Sequence, residues 1–96
     1  MKVMVDSNFR IAKVFEPPVE FDLHGASPTL RDVLAELDAR SRSVQFLLKT
    51  GAVGDDVDEI LLNDTPYKSL PQGIMTPVNE HDTVMVQISM GPLGDG

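Results

Sequence analysis

In Leu30-Arg31-Asp32-Val33-Leu34-Ala35-Glu36-Leu37 the apolar residues Leu30, Val33, Leu34 and Leu37 fall at i, i+3, i+4 and i+7, one face of an α-helix. Two starts are open. Ser27 can cap the helix with Pro28 in the first helical position, or Thr29 can cap it with Asp32 three residues on, close to a capping box. The end is expected near Ala39 to Ser41, where Arg40 is favourable at the negative end of the helix dipole.

Upstream of this helix the pattern changes to period two. Lys2 to Ser7 reads as a strand with Val3 and Val5 on one face, and Val19-Glu20-Phe21-Asp22-Leu23 alternates strictly as a half-buried strand. Asn8 to Pro18 joins them as a connection covering the core edge, and Pro17-Pro18 stops any regular element there. Downstream, Ser43 to Leu48 is expected to form a short second helical segment packed through Val44, Leu47 and Leu48. Gly51 and Gly54 break the chain, and Asp55-Asp56-Val57-Asp58-Glu59 reads as an exposed acidic loop. Ile60-Leu61-Leu62 reads as a buried strand, Asn63-Asp64-Thr65-Pro66 as a turn, and Tyr67-Lys68 as a brief return strand. Gly73 and Pro77 keep the next stretch irregular. Thr83 to Ser89 is the last strand, with Val84, Val86 and Ile88 on one face and Met85 and Gln87 on the other. This order suits an α+β domain with a mixed sheet and one main helix packed on one face. The expected sheet core is Val3, Val5, Phe21, Leu61, Val84 and Val86.

The 96 residues suit one domain, expected over residues 1–89, with a glycine-rich C-terminal tail over 90–96. An apolar fraction of 42% with 24% charged residues excludes a disordered composition. The chain has no cysteine, which excludes disulfides, thiolate metal sites, iron–sulfur clusters and a cysteine nucleophile. The N-terminus enters a strand pattern at once, and no apolar run approaches the ~18 residues of a membrane span. The expectation is a cytoplasmic protein. The net charge of −7, with scattered basic residues, argues against nucleic-acid partners and against an anionic membrane surface. An acidic chain is better matched to a basic protein partner.

From Leu30 onward the chain resembles the sulfur-carrier branch of the ubiquitin-like β-grasp proteins. These are the small subunit of molybdopterin synthase (MoaD-like) and the thiamine-pathway carrier (ThiS-like). Thr29-Leu30-Arg31-Asp32-Val33-Leu34 is similar to the start of their one long helix, and Ile60-Leu61-Leu62-Asn63-Asp64 to their strand with an asparagine-led turn. Gly73-Ile74-Met75-Thr76-Pro77-Val78 and Glu80-His81-Asp82-Thr83-Val84 are similar to their approach to the last strand. The resemblance implies a β-grasp fold and, closer to the molybdopterin type, a carrier whose C-terminal glycine, here Gly96, is adenylated and converted to a thiocarboxylate. It implies two partners: an ATP-dependent, E1-like adenylating enzyme, and the large subunit of a molybdopterin-synthase-type complex or another sulfur acceptor. It implies no cofactor, and docking through the sheet face that bears Met85 and Gln87. Gly91, Gly94 and Asp95 belong to the tail. Two departures stand out. The family ends in Gly-Gly where this chain ends Gly94-Asp95-Gly96, and the family's proline pair after the last strand is replaced by Gln87 to Met90. These departures leave open a second reading, a β-grasp accessory subunit that is not processed.

The tail's residue types suit the implied chemistry. A carboxylate is a poor electrophile until a partner enzyme activates it, and glycine lets backbone pass closely through a narrow channel. Other candidates carry less. His81, in Asn79-Glu80-His81-Asp82, reads as a solvated turn rather than a metal site, and His24 as a surface residue. The acidic run lacks the alternating ligand spacing of an EF-hand. No G-x-S-x-G is present, and the tail glycines do not lead from a strand into a helix. No convergent catalytic set is visible, so the chain is not expected to be an enzyme.

Overall fold

Thr29, not Ser27, starts the helix. Its backbone N–H donates to Asp32 Oδ2 at 2.7 Å, the carboxylate half of a capping box, and its hydroxyl reaches the same oxygen at 3.3 Å. In this computed structural model, which describes residues 1–8, 16–41 and 44–89, the helix α1 runs Leu30–Arg40. It follows strands β1 (Lys2–Ser7) and β2 (Val19–Asp22) and precedes β3 (Val57–Leu62), β4 (Thr65–Pro66) and β5 (Thr83–Ile88). The strands form one mixed sheet in the order β2-β1-β5-β3-β4. β1 pairs antiparallel with β2 and parallel with β5, and β5 pairs antiparallel with β3. One helix on one face of a mixed five-stranded sheet is the architecture expected from the sequence.

The helix face Leu30, Val33, Leu34 and Leu37 is buried as its spacing predicts. Across from it lie Val3, Val5, Phe21, Ile60, Leu62, Val84, Val86 and Ile88. Leu61 is not among them, which corrects the expected core. Ile60 pairs with Val86 and Leu62 with Val84, so strand alternation turns Leu61 to the opposite face beside Met85. Three consecutive apolar residues hide this parity, and only the partner strand sets it. At the helix C-terminus the Arg40 guanidinium stacks 4.1 Å above the Phe21 ring and closes that corner of the core.

The expected second helix does not form over residues 44–48, the part of it among the described residues. Phe46 is 1% exposed and fills the core, while Val44 and Leu47 pack partly against it. Carboxylates from outside the segment bind its backbone. Asp38 accepts from the Phe46 N–H at 2.9 Å, and Asp56 accepts from the Gln45 N–H at 2.9 Å. Six residues form too few internal bonds to compete, because helix nucleation is costly. Leu47 instead bridges to Val53, and the Gly54 N–H donates to the Phe46 carbonyl at 2.9 Å. A side chain at Gly54 would collide with the Gln45 carbonyl, so glycine is required for this close approach.

Two further readings are corrected. The acidic run is a turn only through Asp56, because Val57 already pairs with Ile88 in β3, with an irregular step before Glu59. The return strand is Thr65–Pro66, and Tyr67–Ser69 is a 3₁₀ turn. The intervening Asn63 and Asp64 both have positive φ, 49° and 72°, as a two-residue hairpin of the primed type requires.

The parallel contact of β1 with β5 is set at one end by the turn Asn79–Asp82. The His81 N–H donates to the Lys2 carbonyl at 2.8 Å and the Met4 N–H to the Asp82 carbonyl at 2.9 Å. Asp82 holds the turn by accepting from the Asn79 N–H at 2.8 Å and from Asn63 Nδ2 at 3.1 Å. Truncation at the centre of the helix face tests the packing. Leu34→Ala should lose about 2–5 kcal/mol in urea unfolding, and a loss below about 0.5 kcal/mol would mean that Leu34 does not face the sheet.

Candidate docking face and tail exit

The side of the sheet away from α1 is built by the strand residues that alternate with the buried ones. Met4 from β1, Met85 from β5 and Leu61 from β3 share this face, with Pro66 paired to Leu61 at the edge. Met4 is 37% exposed, and Met85, Leu61 and Pro66 are half-buried. Met85 lies between Asp6 on β1 and Leu61 on β3, and Gln87 is exposed opposite Glu59. The face is therefore an apolar stripe flanked by the carboxylates of Asp6, Glu59, Glu20 and Asp22. Lys2, 4.0 Å from Glu20, is the basic side chain the strands contribute to it among the described residues.

Met85 and Gln87 thus lie on the solvent side of the sheet, as their alternation predicts. Met4 and Leu61 were missed as parts of the same face. Met4 alternates with the buried Val3 and Val5, which is a readable signal, whereas Leu61 needs the β3–β5 register.

β5 occupies the middle of the sheet, and its last residues are held from both sides. On one side the Asn8 side chain acts like an extra strand residue. Asn8 Nδ2 donates to the Ile88 carbonyl at 3.0 Å, and the Ile88 N–H donates to Asn8 Oδ1 at 2.8 Å. On the other side the Ser89 N–H donates to the Asp56 carbonyl at 2.9 Å. Gly91, Gly94, Asp95 and Gly96 follow this point and lie outside the described residues, as does the whole of the expected tail 90–96.

The remaining sequence candidates are not brought together. His81 is exposed, with Nε2 4.0 Å from Glu80 Oε2, and has a φ of 68° in its turn. His24 is exposed beyond β2. Among the described residues no group of three or more His, Asp or Glu is placed to hold a metal ion, and no helix is long and apolar enough to cross a membrane.

The sequence matches no protein-family model and no curated protein. The fold is similar to that of SAMP1 from Haloferax volcanii in its crystal structure. The TM-score is 0.66 at 16% sequence identity, over 95% of this chain and 98% of that chain. With the strand order and the single helix above, this places the chain in the ubiquitin-like β-grasp fold.

The two faces of β3 give a direct test of the assignment. Leu61→Ser and Met85→Ser should each cost under about 1 kcal/mol, whereas Ile60→Ser should cost more than about 2 kcal/mol, because only the last places a hydroxyl among fully buried side chains. Equal losses at Ile60 and Leu61 in urea unfolding would contradict the register.

Proposed function

We propose that this protein is a cytoplasmic sulfur carrier of the molybdopterin-synthase small-subunit type, which does no chemistry itself and presents Gly96 to a partner enzyme. The observation that supports the reading most is the position of the last strand. β5 lies in the centre of the sheet, is held through Ser89, and carries on its outer side part of an apolar face suited to docking.

The reaction is carried by the partner. An E1-like enzyme joins the Gly96 carboxylate to the α-phosphate of ATP and releases pyrophosphate. A hydrosulfide-equivalent sulfur attacks the carbonyl carbon of the acyl-adenylate, the carbon–oxygen bond to AMP breaks, and a thiocarboxylate remains. Sulfur then passes to an acceptor, such as the large subunit of a molybdopterin-synthase-type complex. The acidic flanks around Met85 suit a basic rim on the partner, because complementary charge speeds encounter and suppresses wrong orientations.

Asp95 distinguishes this tail from a Gly-Gly end. It adds a β-carbon and a negative charge beside the carboxylate that must approach ATP. Like charges some 4–6 Å apart repel by roughly 3–4 kcal/mol at an effective dielectric of about 20, before screening by ions. A cognate activating enzyme therefore needs a basic group opposite Asp95. The same residue favours the second reading, an accessory subunit that is never activated.

Incubation with activating enzyme, ATP and a sulfur donor, followed by mass spectrometry, separates the two readings. Deletion of Gly96 should abolish the thiocarboxylate, and Asp95→Gly should raise its yield with a heterologous activating enzyme. Thiolation of the chain ending at Asp95 would overturn the assignment of Gly96. If wild type and Asp95→Gly both stay unmodified with every activating enzyme of the source cell, the accessory-subunit reading replaces this one. For the docking face, Met85→Asp should weaken partner binding about tenfold or more, as expected for a charge buried in an interface without a partner. Unchanged affinity in a titration would put the interface elsewhere.

A further inference from the structure

Resting on the carrier reading above, we propose that Asn8 is a positioning residue for acyl transfer: its side-chain amide fixes the end of β5, the last described strand before Gly96. β1 ends at Ser7, whose partner on β5 is Val86. Without a further contact, the β1 side of β5 would lose its ladder two residues before the end of the strand. Asn8 supplies that contact with both halves of its amide, donating to the Ile88 carbonyl at 3.0 Å and accepting from the Ile88 N–H at 2.8 Å. An amide is the side chain that can mimic a peptide group in this way, since it carries a donor and an acceptor on one planar unit. A carboxylate cannot donate, and an alkyl group can do neither.

The consequence for the tail is geometric. Ile88 is 4% exposed, so its side chain anchors in the core while its backbone is bonded to Asn8, and Ser89 is bonded to Asp56. The chain is thus registered through residue 89 on both flanks of β5. Releasing Ile88 would let the end of β5 shift without altering the docking face, because Asn8 lies at the end of the sheet and not on that stripe.

Two measurements on the full-length Asn8→Ala variant test this. In amide hydrogen exchange the Ile88 N–H should exchange faster by roughly tenfold or more, since its bonding partner is gone, while amides in the middle of β1 and β5 keep their protection. In steady-state adenylation, followed by pyrophosphate release with an activating enzyme that accepts the wild type, kcat should fall on the order of tenfold with KM unchanged. Misplacement by about 1 Å at reacting atoms can cost up to ~10²-fold in rate. A purely structural role would leave kcat at saturation untouched. Wild-type kcat in the variant, or a change confined to KM, overturns the proposal. If no activating enzyme adenylates the wild type, the carrier reading itself fails. The exchange experiment then decides alone whether Asn8 holds the strand end, and an unchanged Ile88 rate refutes it.

Discussion

The parallel pairing of β1 with β5 is the contact on which the rest of this structure depends. Met4 to Ser7 pair with Thr83 to Val86, so the two ends of the domain form the middle of the sheet. A parallel pair cannot be closed by a tight turn; it needs a crossover, and here the crossover carries α1 and the strands β3 and β4. The apolar side chains of the pair, Val3, Val5, Val84 and Val86, are fully buried beneath the helix face. The turn at Asn79–Asp82 bonds one end of the pair, and the Asn8 amide bonds the other. Loss of that pairing would split the β1–β2 hairpin from the β3–β4–β5 unit and open the core between them.

The same pairing organises the surface. Burying Val84 and Val86 forces Met85 and Gln87 outward, and the register then brings Leu61 and Asp6 to either side of Met85. A central strand whose inner face is core and whose outer face is solvent-facing can present a flat apolar stripe without exposing a sheet edge. The flexible thioethers of Met4 and Met85 suit an adaptable contact. Carboxylates at the margins would repel another copy of such a stripe and would favour a basic partner.

Much of this arrangement is legible in the sequence, and what is not has physical causes. The helix face was readable because four apolar residues at helical spacing have one geometric solution. The strands β1, β2 and β5 were readable because their alternation is clean. Leu61 was misplaced because Ile60-Leu61-Leu62 has no alternation of its own, and its parity comes from β5. The stretch before Gly51 was misread because Asp38 and Asp56 capture backbone donors from positions 8 and 11 residues away, which no local periodicity encodes. Asn8 looked like the start of a connection, since its partner is 80 residues further on. The role proposed for Gly96 and its neighbours rests on the resemblance of the chain to sulfur carriers.

On the proposed carrier reading, such a fold would contribute position rather than reaction. It would hold a strand end still, offer a face for recognition, and leave activation to an enzyme that supplies ATP and sulfur. The most direct measurement is the intact mass of the protein purified from its native cells grown with ample sulfur, with fragmentation of the C-terminal peptide. The account predicts a fraction of molecules in which one oxygen of the Gly96 carboxylate is replaced by sulfur. A population ending only in the ordinary carboxylate, in cells whose other carriers are thiolated, would contradict it.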